Sequence, residues 1–107
     1  MPDGLTDHEF AAKAESAIEA LQRGLLGLAD EEGFEIDLEG GVLKIEFEEP
    51  SNATFVISPN APVRQIWVSA LVQSYKLAWS QETGAFALGG ETLTQLVERL
   101  VRLHLGR

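Results

Sequence analysis

A change in the spacing of apolar residues near residue 33 constrains this chain more than any other feature. Before it, Phe10, Ala14, Ala17, Ile18, Leu21, Leu25 and Leu28 recur mostly at intervals of three and four. That spacing predicts a helix over residues 6–28 with one apolar stripe. Thr6 or Asp7 can cap it, and Glu9 sits in its first turn. Gly24 and Gly27 weaken its last turns by about 1 kcal/mol each relative to Ala. After residue 33 the period becomes two. In FEIDLE, Phe34, Ile36 and Leu38 alternate with Glu35, Asp37 and Glu39, so the acids share the face opposite the apolar residues.

The alternation continues through a hairpin. Gly40-Gly41 is a tight-turn signal. VLKIEFE then places Leu43, Ile45 and Phe47 inward and Lys44, Glu46 and Glu48 outward. TFVI, RQIWVSA, YKLAWS and AFAL read as four further strands, with SPNAP as a proline-set loop. Residues 91–105 read as a second helix, with Leu93, Leu96, Val97, Leu100 and Val101 on one face and His104 at its margin. Helix, antiparallel meander, helix is an α+β pattern. Its simplest assembly is a two-layer α/β sandwich, with two helices packed on one face of a single antiparallel sheet.

At 107 residues the chain is expected to form one domain, 1–107. No apolar run approaches the roughly 20 residues of a membrane span. The start MPDGLTDHEF is acidic and lacks the apolar stretch of a signal peptide. With no cysteine, disulfides, thiolate metal sites and cysteine nucleophiles are excluded together, and a cytoplasmic location is expected.

Charge is the second constraint. The formal net charge is −9. Residues 1–49 carry 14 acids against Lys13, Arg23 and Lys44, so nearly all of the excess lies in the first half. Such a surface repels nucleic acid and anionic lipid and attracts cations or basic protein patches. Six acids (Asp30, Glu31, Glu32, Glu35, Asp37 and Glu39) fall within ten residues with no basic residue among them. They do not form an EF-hand loop, because the fifth and sixth positions from Asp30 are Phe34 and Glu35. They do not form a glycosidase pair either, because carboxylates on one strand face have no opposing wall. His8 and His104 have no ligand-spaced partners. There is no phosphate loop and no nucleophile triad, so the chain is not expected to be an enzyme. What is left is an exposed ladder of hard oxygen donors. It suits weak, water-rich binding of Mg, Ca, Mn or iron, or serves only as a solvated face. The excess of acids also leads to the expectation that Asp37→Lys raises stability at low salt.

Trp67 is the other anomaly. In RQIWVSA, Ile66, Val68 and Ala70 share one face and Gln65, Trp67 and Ser69 the other. If the aliphatic face is core, Trp67 stands on the open side of the sheet, as a binding hot spot does, unless a neighbouring strand covers it. Trp79 falls in phase with Tyr75 and Leu77 and is expected in the core.

The segments GGVLKIEF, FVISPNAPVRQIWVS and GETLTQLVERL, in this order and spacing, resemble the frataxin family in its bacterial branch. The likeness spans nearly the whole chain, and Pro62–Trp67 is its most specific piece. It implies an α/β sandwich with two helices on an antiparallel sheet, in agreement with the residue pattern. It implies weak binding of Fe2+ or Fe3+ by the acidic ridge (Asp30 to Glu32 with Glu35, Asp37 and Glu39). It implies a partner face holding Gln65, Trp67 and Ser69. The implied partners are the cysteine desulfurase and the iron–sulfur scaffold protein, with no nucleic acid or membrane. A monomer that iron can drive into oligomers is expected. The implied role is an accessory regulator of cluster assembly, with metal-independent regulation of the desulfurase as the alternative.

Overall fold

The computed structural model describes residues 5–106. Helix α1 spans Asp7–Glu32 and opens on a capping box. The Thr6 hydroxyl accepts from the Glu9 backbone N–H at 3.0 Å, and the Glu9 carboxylate accepts from the Thr6 N–H at 2.9 Å. That backbone donor holds the Glu9 carboxyl below the usual carboxylate range. The helix runs four residues beyond the predicted 28. Leu25 and Ala29 are buried, and burial of an apolar face outweighs the low propensity of Gly24 and Gly27. It stops at Gly33, whose φ of 84° supplies the left-handed cap.

Seven strands follow among the described residues: β1 Glu35–Glu39, β2 Val42–Phe47, β3 Ala53–Asn60, β4 Gln65–Ala70, β5 Gln73–Ser80, β6 Ala85–Leu88 and β7 Glu91–Thr92. They form one antiparallel sheet in chain order, β1 at one edge and β7 at the other. Helix α2, Leu93–Leu105, closes the chain.

Three boundaries differ from the sequence reading. The third strand carries through Ser58-Pro59-Asn60, where a loop was expected. β2 pairs with β3 only as far as Leu43↔Ile57. Pro59 therefore lies where β3 has β4 alone as a neighbour, and its missing N–H breaks no bond toward β2. β5 starts at Gln73, two residues before the YKLAWS that the sequence marks, and only Leu71-Val72 turns between β4 and β5. Glu91-Thr92 pairs with β6 as a short strand, so α2 starts at Leu93, with Thr92 as its cap.

The core lies between the helices and one sheet face. Leu43, Ile45, Phe55, Ile57, Ile66, Val68 and Leu77 point inward and are fully buried. α1 supplies Phe10, Ile18, Leu21 and Leu25, and α2 supplies Leu96, Val97, Leu100 and Val101. Trp79 is half-buried in this layer, edge-on to Phe86, with the Lys13 ammonium 4.6 Å from its ring centre. Among the described residues no polar or charged side chain is buried, so every carboxylate of interest lies at the surface. No helix among them is long and apolar enough to cross a membrane.

Candidate functional site

Two surfaces stand out, and the two-residue turn at Gly40-Gly41 builds the first. With that turn the β1–β2 register is fixed: Glu35 faces Glu46, Asp37 faces Lys44, and Glu39 faces Val42. All six positions lie on the open face or its margin, opposite Leu43 and Ile45. Like charges directly opposite on a sheet are destabilising, so the Glu35–Glu46 pair is a site of electrostatic stress. Asp37 instead has a cation opposite it. The relief expected from Asp37→Lys is therefore offset by a new Lys–Lys contact, and Glu35 is the position where reversal relieves more.

Asp30, Glu31 and Glu32 occupy the last turn of α1, past the helix end that the apolar spacing predicts at residue 28. That is the negative end of the helix dipole, and the turn carries no basic residue to offset it. Gly33 then brings the chain directly into β1. Around it a notch of about 290 Å³ is lined by Glu35, Glu46, Glu48 and Asn52. Sequence reasoning left Glu46 and Glu48 out of the ridge, although the alternation in VLKIEFE had already placed them outward. Counting back across the Gly-Gly turn pairs Glu46 with Glu35, and that signal was available in the sequence. Glu39 sits at the far end of β1, about 13 Å from Glu35 at strand rise. The six predicted acids are therefore spread over the end of α1 and the length of β1.

Among the described residues no three carboxylate or histidine side chains converge into a ready-made metal cluster. The donors are hard oxygens and exposed, which fits a cation held by one or two carboxylates with water completing its shell. His8 is exposed in the first turn of α1. His104 is structural: its ring packs 4.5 Å from that of Phe47, and Nε2 donates to the Ser51 carbonyl at 3.1 Å.

The second surface is the open face of β4. Trp67 is 36% exposed while its strand neighbours Ile66 and Val68 are fully buried. Its indole N–H donates to the Gln65 side-chain oxygen at 2.8 Å, and the Lys76 ammonium lies 5.0 Å from the ring centre. Lys76 on β5 and Ser58 on β3 flank it in register. The neighbouring strands thus hold the ring without hiding it. Ser69 is exposed on the same face and Gln65 is half-buried.

Residues 3–107 match the model of the frataxin-like domain. An iron-sulfur cluster assembly protein CyaY from Pseudomonas fluorescens is 28% identical over 99 residues, covering 89% of this chain and 88% of that protein. The CyaY protein of Pseudomonas aeruginosa is 32% identical over 92 residues, 82% of this chain and 83% of the relative. A solved frataxin from Psychromonas ingrahamii superposes with a TM-score of 0.66 at 18% identity, over 92% of this chain and 90% of the other, and shares the fold.

Proposed function

The chain belongs to the frataxin-like family, and from that premise we propose that it is an accessory protein of iron–sulfur cluster assembly rather than an enzyme. Residues 1–107 act as one domain. Its relatives are named for cluster assembly, and its own surface supports the finer reading. The carrying observation is the crowding of carboxylates at one end of the molecule. Glu35 at the start of β1, Glu46 in β2 and Glu48 just after it line the notch at Gly33, and the acidic last turn of α1 leads directly into that glycine.

Iron is cargo here and not a resident cofactor. Asp30, Glu31, Glu32, Glu35, Asp37 and Glu39 supply oxygen donors, with Glu46 added by the hairpin register and Glu48 by the notch it lines. Open geometry imposes little selectivity, so manganese and cobalt compete with iron. The same acids, with Gln65, Trp67 and Ser69 on the sheet face, form the surface that engages the cysteine desulfurase and its scaffold. The lack of a converging ligand cluster among the described residues favours a second reading: the acids serve charge-based docking, and regulation of the desulfurase needs no metal.

The deciding experiment measures binding to the desulfurase–scaffold complex with and without Fe2+ under anaerobic conditions. It compares the wild type, Trp67→Ala and a Glu35→Gln/Glu46→Gln/Glu48→Gln variant. Trp67→Ala is expected to weaken partner binding while costing less stability than the roughly 3–5 kcal/mol of a buried aromatic. The triple variant is expected to lose most iron binding. Unchanged iron affinity in the triple variant, with weaker desulfurase binding, selects the metal-independent reading. Full partner binding by both variants removes the assignment.

A further inference from the structure

At the other end of the β1–β2 hairpin the structure has a groove that the cluster-assembly reading does not use. It arises from a mismatch in strand length. The Gly-Gly turn ends the hairpin at Gly41, while β3 runs on through Asn60 with no β2 residue paired to Ser58–Asn60. α1 passes over this gap. The result is a groove of about 490 Å³. Its floor is apolar: Phe10, Ala14 and Ile18 from α1, Leu38 from β1, Pro59 from β3 and Ala61 from the turn that follows. Ligand pockets fall in this size range, and a bulky side chain with its neighbours fits such a volume.

The rim is acidic. Asp7, Glu15 and Glu19 border the opening. Asp7 is tied to Arg64 by an ion pair. Glu15 and Glu19 are exposed and make no ion pair among the described residues. They stand four residues apart on one helix face, where like charges repel. A second copy of this chain, itself at −9, would bring more of the same sign to the rim. An apolar floor behind unpaired acids complements an apolar anchor between cations.

We propose that this groove docks a short segment of a protein partner that carries one large apolar side chain flanked by lysines or arginines. The anchor fills the space over Ala14 and Ile18, and the flanking cations meet Glu15 and Glu19. The site is on the helix side of the sheet, at the opposite end of β1 from the notch at Gly33, so it stands or falls independently of iron binding.

The test is a selection of phage-displayed random peptides on the immobilised full chain, followed by affinity measurement with the best synthetic peptide. Two variants accompany the wild type. Ala11→Trp fills the groove from an exposed position on its wall, and Glu15→Lys/Glu19→Lys reverses the rim. Both change exposed residues, and thermal unfolding checks that each remains folded. The expected result is enrichment of peptides pairing an aromatic or aliphatic residue with at least two basic ones. Affinity should fall at least tenfold on each variant, and the amide resonances of Ala11, Ile18 and Gly41 should shift on peptide addition. No enrichment, or equal affinity for Ala11→Trp, overturns the assignment. So do shifts at Gly33, Glu46 and Asn52, which would place the peptide at the acidic notch. Concentration-dependent shifts of the groove amides without peptide would make the occupant a second copy and would equally overturn it.

Discussion

The register of the β1–β2 hairpin makes opposite demands at two adjacent pairs. Glu35 faces Glu46, and Asp37 faces Lys44. Side chains directly opposite have Cβ atoms about 5 Å apart, which puts their charged groups near ~6 Å. In water two unit charges at that distance interact by about 0.7 kcal/mol. At 0.01 M salt, with a screening length of ~30 Å, about 0.6 kcal/mol is left. Reversing both charges of a pair changes the product of charges fourfold in a double-mutant cycle, so each cycle should report a coupling of about 2 kcal/mol. Neighbouring acids contribute to each single variant but cancel in the cycle. For Glu35→Lys and Glu46→Lys, each single change turns repulsion into attraction, and the double change forfeits that gain. For Asp37→Lys and Lys44→Asp, each single change creates repulsion across the pair, and the double change restores attraction. The couplings therefore carry opposite signs. Urea unfolding of the wild type, the four single variants and the two double variants at 0.01 M and 1 M salt measures them, and both should fall below about 0.5 kcal/mol at 1 M, where the screening length is ~3 Å. Couplings of the same sign at low salt, or both below about 0.5 kcal/mol there, would refute the register and the stress assigned to Glu35.

Three further outcomes are expected. Gly24 and Gly27 lie inside α1 with open space around an added Cβ, so Gly24→Ala and Gly27→Ala should each stabilise by about 1 kcal/mol in chemical denaturation. Leu71 and Val72 form a two-residue turn with φ of 52° and 65°, conformations costly for such residues. Replacing the pair with Asn-Gly should stabilise by about 1 kcal/mol or more, read as a rise in melting temperature. The bidentate contact of Arg99 with Glu91, at 2.7 and 2.8 Å, holds the Glu91 carboxyl below its ordinary value of 4.5. Because the folded-state value is depressed, the stabilisation is present above 4.5 and is lost as the pH falls through the folded value. A pH series against Glu91→Gln should show the wild-type advantage vanish only on the acid side.

Residue spacing along the chain settled the architecture. Apolar spacing of three and four, then two, then three and four again decided helix, meander and helix, because each period places apolar groups on one side of one kind of element. The two-residue Gly-Gly turn fixed the first hairpin and, with it, the facing of Glu35 and Glu46. Alternation in RQIWVSA put Trp67 on the open face. Tertiary structure decided where elements end and what shares a surface. α1 continues to Glu32 because Ala29 finds the core, and local propensity cannot register that burial. Asp30, Glu31 and Glu32 thereby fall inside the helix, past its predicted end at residue 28. The extension of β3 past β2, with Pro59 on the side that β2 leaves open, depends on which neighbour each strand edge meets. Glu15, Glu19, Leu38 and Pro59 border one groove only because α1 crosses that overhang. Spacing along a chain fixes which way a side chain faces within its own element. Which elements meet, and how far each extends beyond its neighbour, is set by packing between residues distant in sequence.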